Sequence, residues 1–88
     1  MNLKDLEKIH KALANRRRLA ILQYLKKRPG ATVGNIAGFI SLSFKSTSKH
    51  IGVLSAAGLV ERDQVDLSMH YRLASQLPAT AKTAIDSL

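Results

Sequence analysis

The sequence predicts a mainly α fold with a small β-hairpin: four helices, two short strands and a last helix, in that order. Three observations carry this. Apolar residues recur three to four positions apart along most of residues 3–57. The spacing falls toward two between Val60 and Leu73. Helix-stopping Pro29-Gly30 and Gly58 punctuate those stretches. At 88 residues the chain has room for one domain, 1–88, and buries only a little over ~60% of its unfolded surface, so the core must be thin.

From Leu3 to Leu13, apolar residues at 3, 6, 9 and 13 make a helical stripe, and Asp5 and Glu7 lie near the start, where the helix dipole favours acids. Asn15 can cap a second helix in which Leu19, Leu22 and Leu25 repeat, with Lys26, Lys27 and Arg28 at its carboxyl end. Thr32 can cap a third, short helix through Ile36, Ala37 and Ile40, although Gly34 and Gly38 each cost it about 1 kcal/mol relative to Ala. After a tight turn, Ser43 caps a fourth helix whose buried stripe is expected at Phe44, Thr47, Ile51 and Leu54, ending at Ala56, Ala57 and Gly58. Val60–Val65, a turn at Asp66-Leu67 and Met69–Leu73 read as a hairpin. The tail returns to helix, with Pro78 in its first turn and Leu77, Ala81, Ala84, Ile85 and Leu88 along one side. Two adjacent short helices followed by a hairpin make a helix-turn-helix with a wing.

Composition narrows the function. A hydrophobic content of 45% and a charged content of 23% are those of a folding globular domain, and the absence of cysteine removes disulfides, thiolate metal sites and thiol redox chemistry. The opening MNLKDLEK is charged and periodic, unlike a secretion signal, and no stretch suits a membrane span, so a cytoplasmic address and no membrane partner are expected. Fourteen Lys and Arg against six Asp and Glu give a net charge of +8. No acid stands between Glu7 and Glu61, an interval carrying Lys8, Lys11, Arg16, Arg17, Arg18, Lys26, Lys27, Arg28, Lys45 and Lys49. Unopposed positive charge of that extent points to a polyanion.

Ala12–Leu25 (ALANRRRLAILQYL), Ser48–Val60 (SKHIGVLSAAGLV) and Met69–Leu73 (MHYRL) together resemble the arsenic-repressor-like (ArsR-type) winged-helix transcription regulators. The second segment resembles the family's S-x-H-L-x-x-L-x-x-x-G-L-V signature, with Ile51 in place of the first Leu. The resemblance implies a homodimer that binds a palindromic operator with the fourth helix in the major groove. The sequence departs from the family in three places. The third helix has no cysteine and the last has only Asp86, so neither of the family's usual metal sites can be built. Phe44 replaces the usual polar residue opening the recognition helix. The wing tip reads Gln64-Val65-Asp66-Leu67, with Glu61 and Asp63 behind it, a poor phosphate clamp.

On a helical wheel, the side opposite Phe44, Thr47, Ile51 and Leu54 carries Lys45, Ser46, Lys49, Gly52 and Val53, with Ser48 and His50 on its flanks. Lys can donate to guanine and Ser to phosphate or base. The expected DNA-contacting set is therefore Ser43, Phe44, Lys45, Ser46, Ser48, Lys49 and His50, with Arg16 and Arg17 at the start of the second helix reaching backbone phosphate. A solvated lysine face is the plainer reading of the fourth helix, and helical spacing places Phe44 in the core. The plainer alternative, slightly favoured, is that Arg18 is a structural residue bonding a neighbouring backbone or carboxylate while Arg16 and Arg17 are solvated. Apolar stripes at Leu3, Leu6 and Ile9 and at Leu77, Ala81, Ile85 and Leu88 exceed what so small a core covers, so the terminal helices are expected to form the dimer interface.

His10, His50 and His70 are scattered, and Glu7 with His10 supplies too few ligands for a tight metal site, so neither metal nor cofactor is expected. Ser48 and His50 diverge by about 200° on a helix with no carboxylate to orient the base, which argues against an enzyme. The sequence thus reads as a regulator, most simply a repressor, that binds double-stranded DNA specifically; its effector is not legible. Two alternatives stay open: a protein-interaction winged helix using Val65, Leu67 and the nearby acids, and a nonspecific architectural DNA binder.

Overall fold

The computed structural model describes every residue, 1–88. It contains α1 (Leu3–Leu13), α2 (Arg16–Lys27), α3 (Val33–Ile40), α4 (Phe44–Ala56), β1 (Val60–Val65), β2 (Ser68–Leu73) and α5 (Ala79–Asp86), in the order expected. The first four helices begin where a side chain can accept an N–H that the helix itself leaves free. Asn2 accepts from the Asp5 N–H at 2.8 Å, Asn15 from Arg18 at 3.1 Å and Ser43 from Ser46 at 3.1 Å. Thr32 and Asn35 cap each other reciprocally, each side chain accepting the other's backbone N–H at 3.1 Å. This capping box offsets part of what Gly34 and Gly38 cost the short α3. Pro78 sits in the cap position of α5 rather than in its first turn, and no side chain caps that helix.

The stops are equally local. Gly58 takes φ +76°, and the following Leu59 N–H returns to the Leu54 carbonyl at 3.0 Å, closing α4 with a left-handed cap. Between α3 and α4 only Ser41–Ser43 intervene, and Ser41 itself adopts φ 55° to make the turn. The hairpin pairs Val60 with Leu73 through to Val65 with Ser68, leaving Asp66-Leu67 as a two-residue loop in which Asp66 takes φ 56°.

A long-range element was not legible in the sequence. Ala31 forms an antiparallel bridge to Tyr71: the Tyr71 N–H donates to the Ala31 carbonyl at 2.8 Å and the Ala31 N–H returns to the Tyr71 carbonyl at 3.2 Å. Gly30 is pinned to the same place, its N–H on the Tyr71 carbonyl and its own carbonyl 2.7 Å from His70 Nδ1. The loop after α2 therefore carries the wing.

Every helix contributes to one core: Ile9 and Ala12 from α1, Ile21, Leu22 and Leu25 from α2, Ile36 from α3, Ile51 and Leu54 from α4, and Ala81 and Ile85 from α5, closed by Ala57, Leu59 and Val60. Three expectations need correction here. Ile21 is fully buried in α2, whereas Leu19 is only half-buried, because α2 is covered by α1, α3, α4 and α5 and its apolar face is broader than the Leu stripe. Phe44 is 64% exposed, since α4's buried side begins at Thr47 and the first residue of the helix instead lines an open groove with the start of α3 and β2. Ala81 and Ile85, expected in a dimer seam, are 0% and 1% exposed within the single chain because α5 packs on α1 and α2. Leu77 and Leu88 are half-buried against the same core, Leu6 is half-buried and Leu3 is 85% exposed. No helix is long and apolar enough to cross a membrane.

Candidate nucleic-acid interface

The placement of α4 follows from its two faces. Thr47, Ile51 and Leu54 anchor it to the core, which turns Lys45, Lys49, Gly52 and Val53 outward, all exposed. Neither lysine has an acidic partner. Ser48 is exposed on the flank toward the wing, and Ser46 is half-buried. Ser43 commits one lone pair of its oxygen to the helix cap, leaving its hydroxyl hydrogen and a second lone pair for an outward contact.

On the opposite flank, His50 meets the start of α2. Its Nδ1 lies 3.3 Å from Arg18 Nη1 and accepts from that guanidinium. Burial first, then the positive charges of Arg18 and Arg17, hold the imidazole below its ordinary value. Arg17 is thereby placed in the electrostatic neighbourhood of α4, while Arg16 and Arg17 both remain exposed and free of acids. Arg18 is structural. Its Nε donates to the Ala12 carbonyl and its Nη2 to the Lys11 carbonyl, each at 2.8 Å. One guanidinium thus satisfies two free carbonyls at the end of α1, where a cation also suits the helix dipole, and that offsets its unfavourable place at the start of α2.

Lys26 is likewise engaged. Its Nζ donates to the Ile85, Asp86 and Leu88 carbonyls at 3.0–3.2 Å, closing the end of α5. Lys11 stands 3.9 Å from Glu7 on an exposed helical surface, a pair of small energetic weight. The acid-free stretch therefore keeps Lys8, Arg16, Arg17, Lys27, Arg28, Lys45 and Lys49 without a carboxylate partner.

Two of the wing's acids share one cation. Arg72 bonds Asp63 at 2.8 Å and pairs with Glu61, and the Ser75 N–H also donates to Glu61. The Arg72 hydrogen bonds hold both carboxyls below the usual carboxylate range, and the two carboxylates raise the guanidinium. The opposite face of the hairpin carries Arg62 beside its cross-strand partner Tyr71. Sequence reading missed Arg62 as a site residue; the signal was its alternation with Glu61 and Asp63, which places it on the other face.

Two open grooves connect these parts. One, about 470 Å³, runs between α4 and the wing and is lined by Ser48, Ile51, Gly52, Ser55, Ala56, Arg62 and Tyr71. The other, about 510 Å³, lies between the start of α3, Phe44 and β2, with Ser48, Ser68 and Met69 in its walls. The α4 surface thus has Arg62 across a groove on its wing flank and Arg18 and Arg17 near His50 on the other. No three His, Asp or Glu residues converge as metal ligands.

Comparison with known proteins agrees with this geometry. The profile of a family described as "Helix-turn-helix domain" matches residues 13–63. No curated protein matches the chain. Among solved structures, the transcriptional regulator HlyU of Vibrio vulnificus CMCP6 is 33% identical, with a TM-score of 0.75 over 99% of this chain and 94% of that one. The homodimeric winged helix-turn-helix DNA-binding domain of Mb0332 from Mycobacterium bovis, a possible ArsR-family transcriptional regulator, is 28% identical, with a TM-score of 0.82 over 97% of this chain and 75% of that one. NolR of Sinorhizobium fredii is 26% identical, with a TM-score of 0.82 over 96% of this chain and 80% of that one. The chain belongs to the helix-turn-helix domain family and, within it, to the ArsR-type winged-helix regulators.

Proposed function

We propose that the protein is a sequence-specific, double-stranded-DNA-binding transcriptional regulator that occupies a palindromic operator as a homodimer and represses by blocking access to it. The carrying observation is the unpaired Lys45 and Lys49, one turn apart on the free face of the second helix of a helix-turn-helix, with Arg62 across the groove at Ser48 and Gly52 and Arg17 near His50 on its flanks. A helix so presented fits the major groove, where both lysines reach base edges or flanking phosphates. Ser43, Ser46, Ser48 and His50 line the same helix, and Arg16 and Arg17 supply backbone contacts from α2. The one domain reads DNA and dimerises, the latter through Leu3 and Leu6 of α1 and the rims of α5 at Leu77 and Leu88. It works in the cytoplasm, without cofactor or catalysis.

Selection of duplexes from a random pool with the purified protein tests this, and a palindromic winner is the expected result. Lys49→Ala should then lower the ratio of operator to random-duplex affinity by about fivefold or more, a loss of about 1 to 3 kcal/mol. Arg17→Ala should lower both affinities alike and flatten the salt dependence by about one unit. Equal affinity of Lys49→Ala and parent for the operator at several salt concentrations would remove α4 as the reader.

A further inference from the structure

Phe44 has no place in the core and no polar partner to seek. It is the first residue of α4, 64% exposed, beside Lys45 and at the mouth of the groove formed with Ser48, Ser68 and Met69. In helix-turn-helix docking, the residues at the start of the recognition helix are those that meet base edges. The major-groove edges of adenine, guanine and cytosine present donors and acceptors; thymine alone adds an apolar group, its C5 methyl. A benzyl side chain can neither donate nor accept there. An exposed Phe held at the leading end of the reading helix is therefore matched to one base edge only.

We propose that Phe44 is a specificity-determining residue that reads thymine C5 methyl groups, one in each operator half-site. This rests on the DNA-reading function proposed above. Within this reading, Lys45 and Lys49 supply the polar readout and attraction to phosphate, while Phe44 discriminates between thymine and cytosine at one position. Its position also frees it from a structural duty: α4 is capped by Ser43 and anchored by Thr47, Ile51 and Leu54, none of which needs the Phe44 ring.

The test starts from the selected operator. Each thymine is replaced singly and in symmetric pairs by deoxyuridine, which removes only the methyl group, and affinity is measured with the parent, Phe44→Ala and Phe44→Leu. Burying one methyl is worth about three- to fourfold in affinity, so the symmetric pair should lose about tenfold with the parent. Phe44→Ala should bind the thymine operator about as weakly as the parent binds the deoxyuridine one, and should not distinguish the two; Phe44→Leu should recover part of the distinction. Circular dichroism confirms folding of each variant. If the operator is bound specifically but no deoxyuridine substitution matters, or if methyl sensitivity persists in Phe44→Ala, the assignment of Phe44 is overturned while the DNA-reading function stands. If the parent prefers no duplex at all, the DNA-reading function itself fails.

Discussion

Thr47 is the one buried polar side chain of the core, 0% exposed, and its hydroxyl oxygen has no hydrogen-bond partner. Its own N–H already donates to the Ser43 carbonyl at 3.0 Å, the usual helical bond, but the hydroxyl does not use that or any other acceptor. A buried donor left unmade costs about 1 to 3 kcal/mol, and Val reproduces the shape of Thr while replacing the hydroxyl with a methyl. Helix propensities of the two are nearly equal, so the α4 backbone contributes little to the difference. Thr47→Val should therefore stabilise the fold by at least about 1 kcal/mol, equivalent to about 4–8 °C in Tm for a domain of this size. Thr47→Ser, which keeps the hydroxyl and loses the methyl, should destabilise by about 1 kcal/mol. Urea unfolding followed by circular dichroism, at one fixed protein concentration because dimerisation would raise apparent stability, gives the ranking Val above Thr above Ser. A Val variant less stable than the parent would mean that the hydroxyl holds a bond worth keeping, and the reasoning fails.

Arg18→Ala should cost about 2 kcal/mol through loss of the bonds to the Lys11 and Ala12 carbonyls, and should also let the His50 imidazole titrate closer to its ordinary value; unfolding curves and an NMR titration check the two halves separately. Gly38 and Gly52 lie inside helices, with nothing within 4 Å of an added Cβ, so Gly38→Ala and Gly52→Ala should each stabilise by about 0.5–1 kcal/mol. Gly52→Ala alone should also weaken duplex binding, since that residue stands on the outward stripe with Lys49. His50 binds a proton less readily folded than unfolded, so its contribution to stability is fully present above about pH 6.5 and is lost as pH falls through the depressed folded value. Urea titrations across that window should show the slope in the parent and its loss in His50→Gln.

Much of this architecture was legible because its determinants are local. Asn15, Thr32 and Ser43 cap the helices they were expected to cap and Gly58 stops α4, each through neighbours within five residues, and the alternation after it forms a hairpin whose partners lie within thirteen. What escaped depends on partners far along the chain. The Ala31 bridge to Tyr71 spans forty residues, and Lys26 reaches carbonyls at the end of α5 and just after it, fifty-nine to sixty-two positions away. Such contacts leave no periodic trace. Periodicity also says which face is apolar but not what covers it: α5 turns Ala81 and Ile85 onto α1 and α2 of its own chain, and Phe44, at the correct angle for the core, lies one turn too early to reach it. The candidate site was legible for the same reason as the helices, since the lysines of α4 are placed by the local anchors Thr47, Ile51 and Leu54.

The wing bears on the choice between reading DNA and holding a protein partner. Acids at Glu61 and Asp63 were the best sequence argument for a protein partner, yet both are committed to Arg72 on the face of the hairpin opposite Arg62. One guanidinium shared by two carboxylates leaves about half of their charge on that face, and it lies on the side of the hairpin away from Arg62. The face beside α4 carries the free guanidinium of Arg62, with Ser48 and Gly52 across the groove. A duplex lying along α4 therefore meets the basic side of the hairpin. The tip is exposed, with Leu67 at 98% and Val65 at 51%, and Asp66 remains as the wing's one unpaired acid. Charge within the hairpin is thus partitioned by the alternation of a strand, and the partition favours nucleic acid on the side where the recognition helix stands.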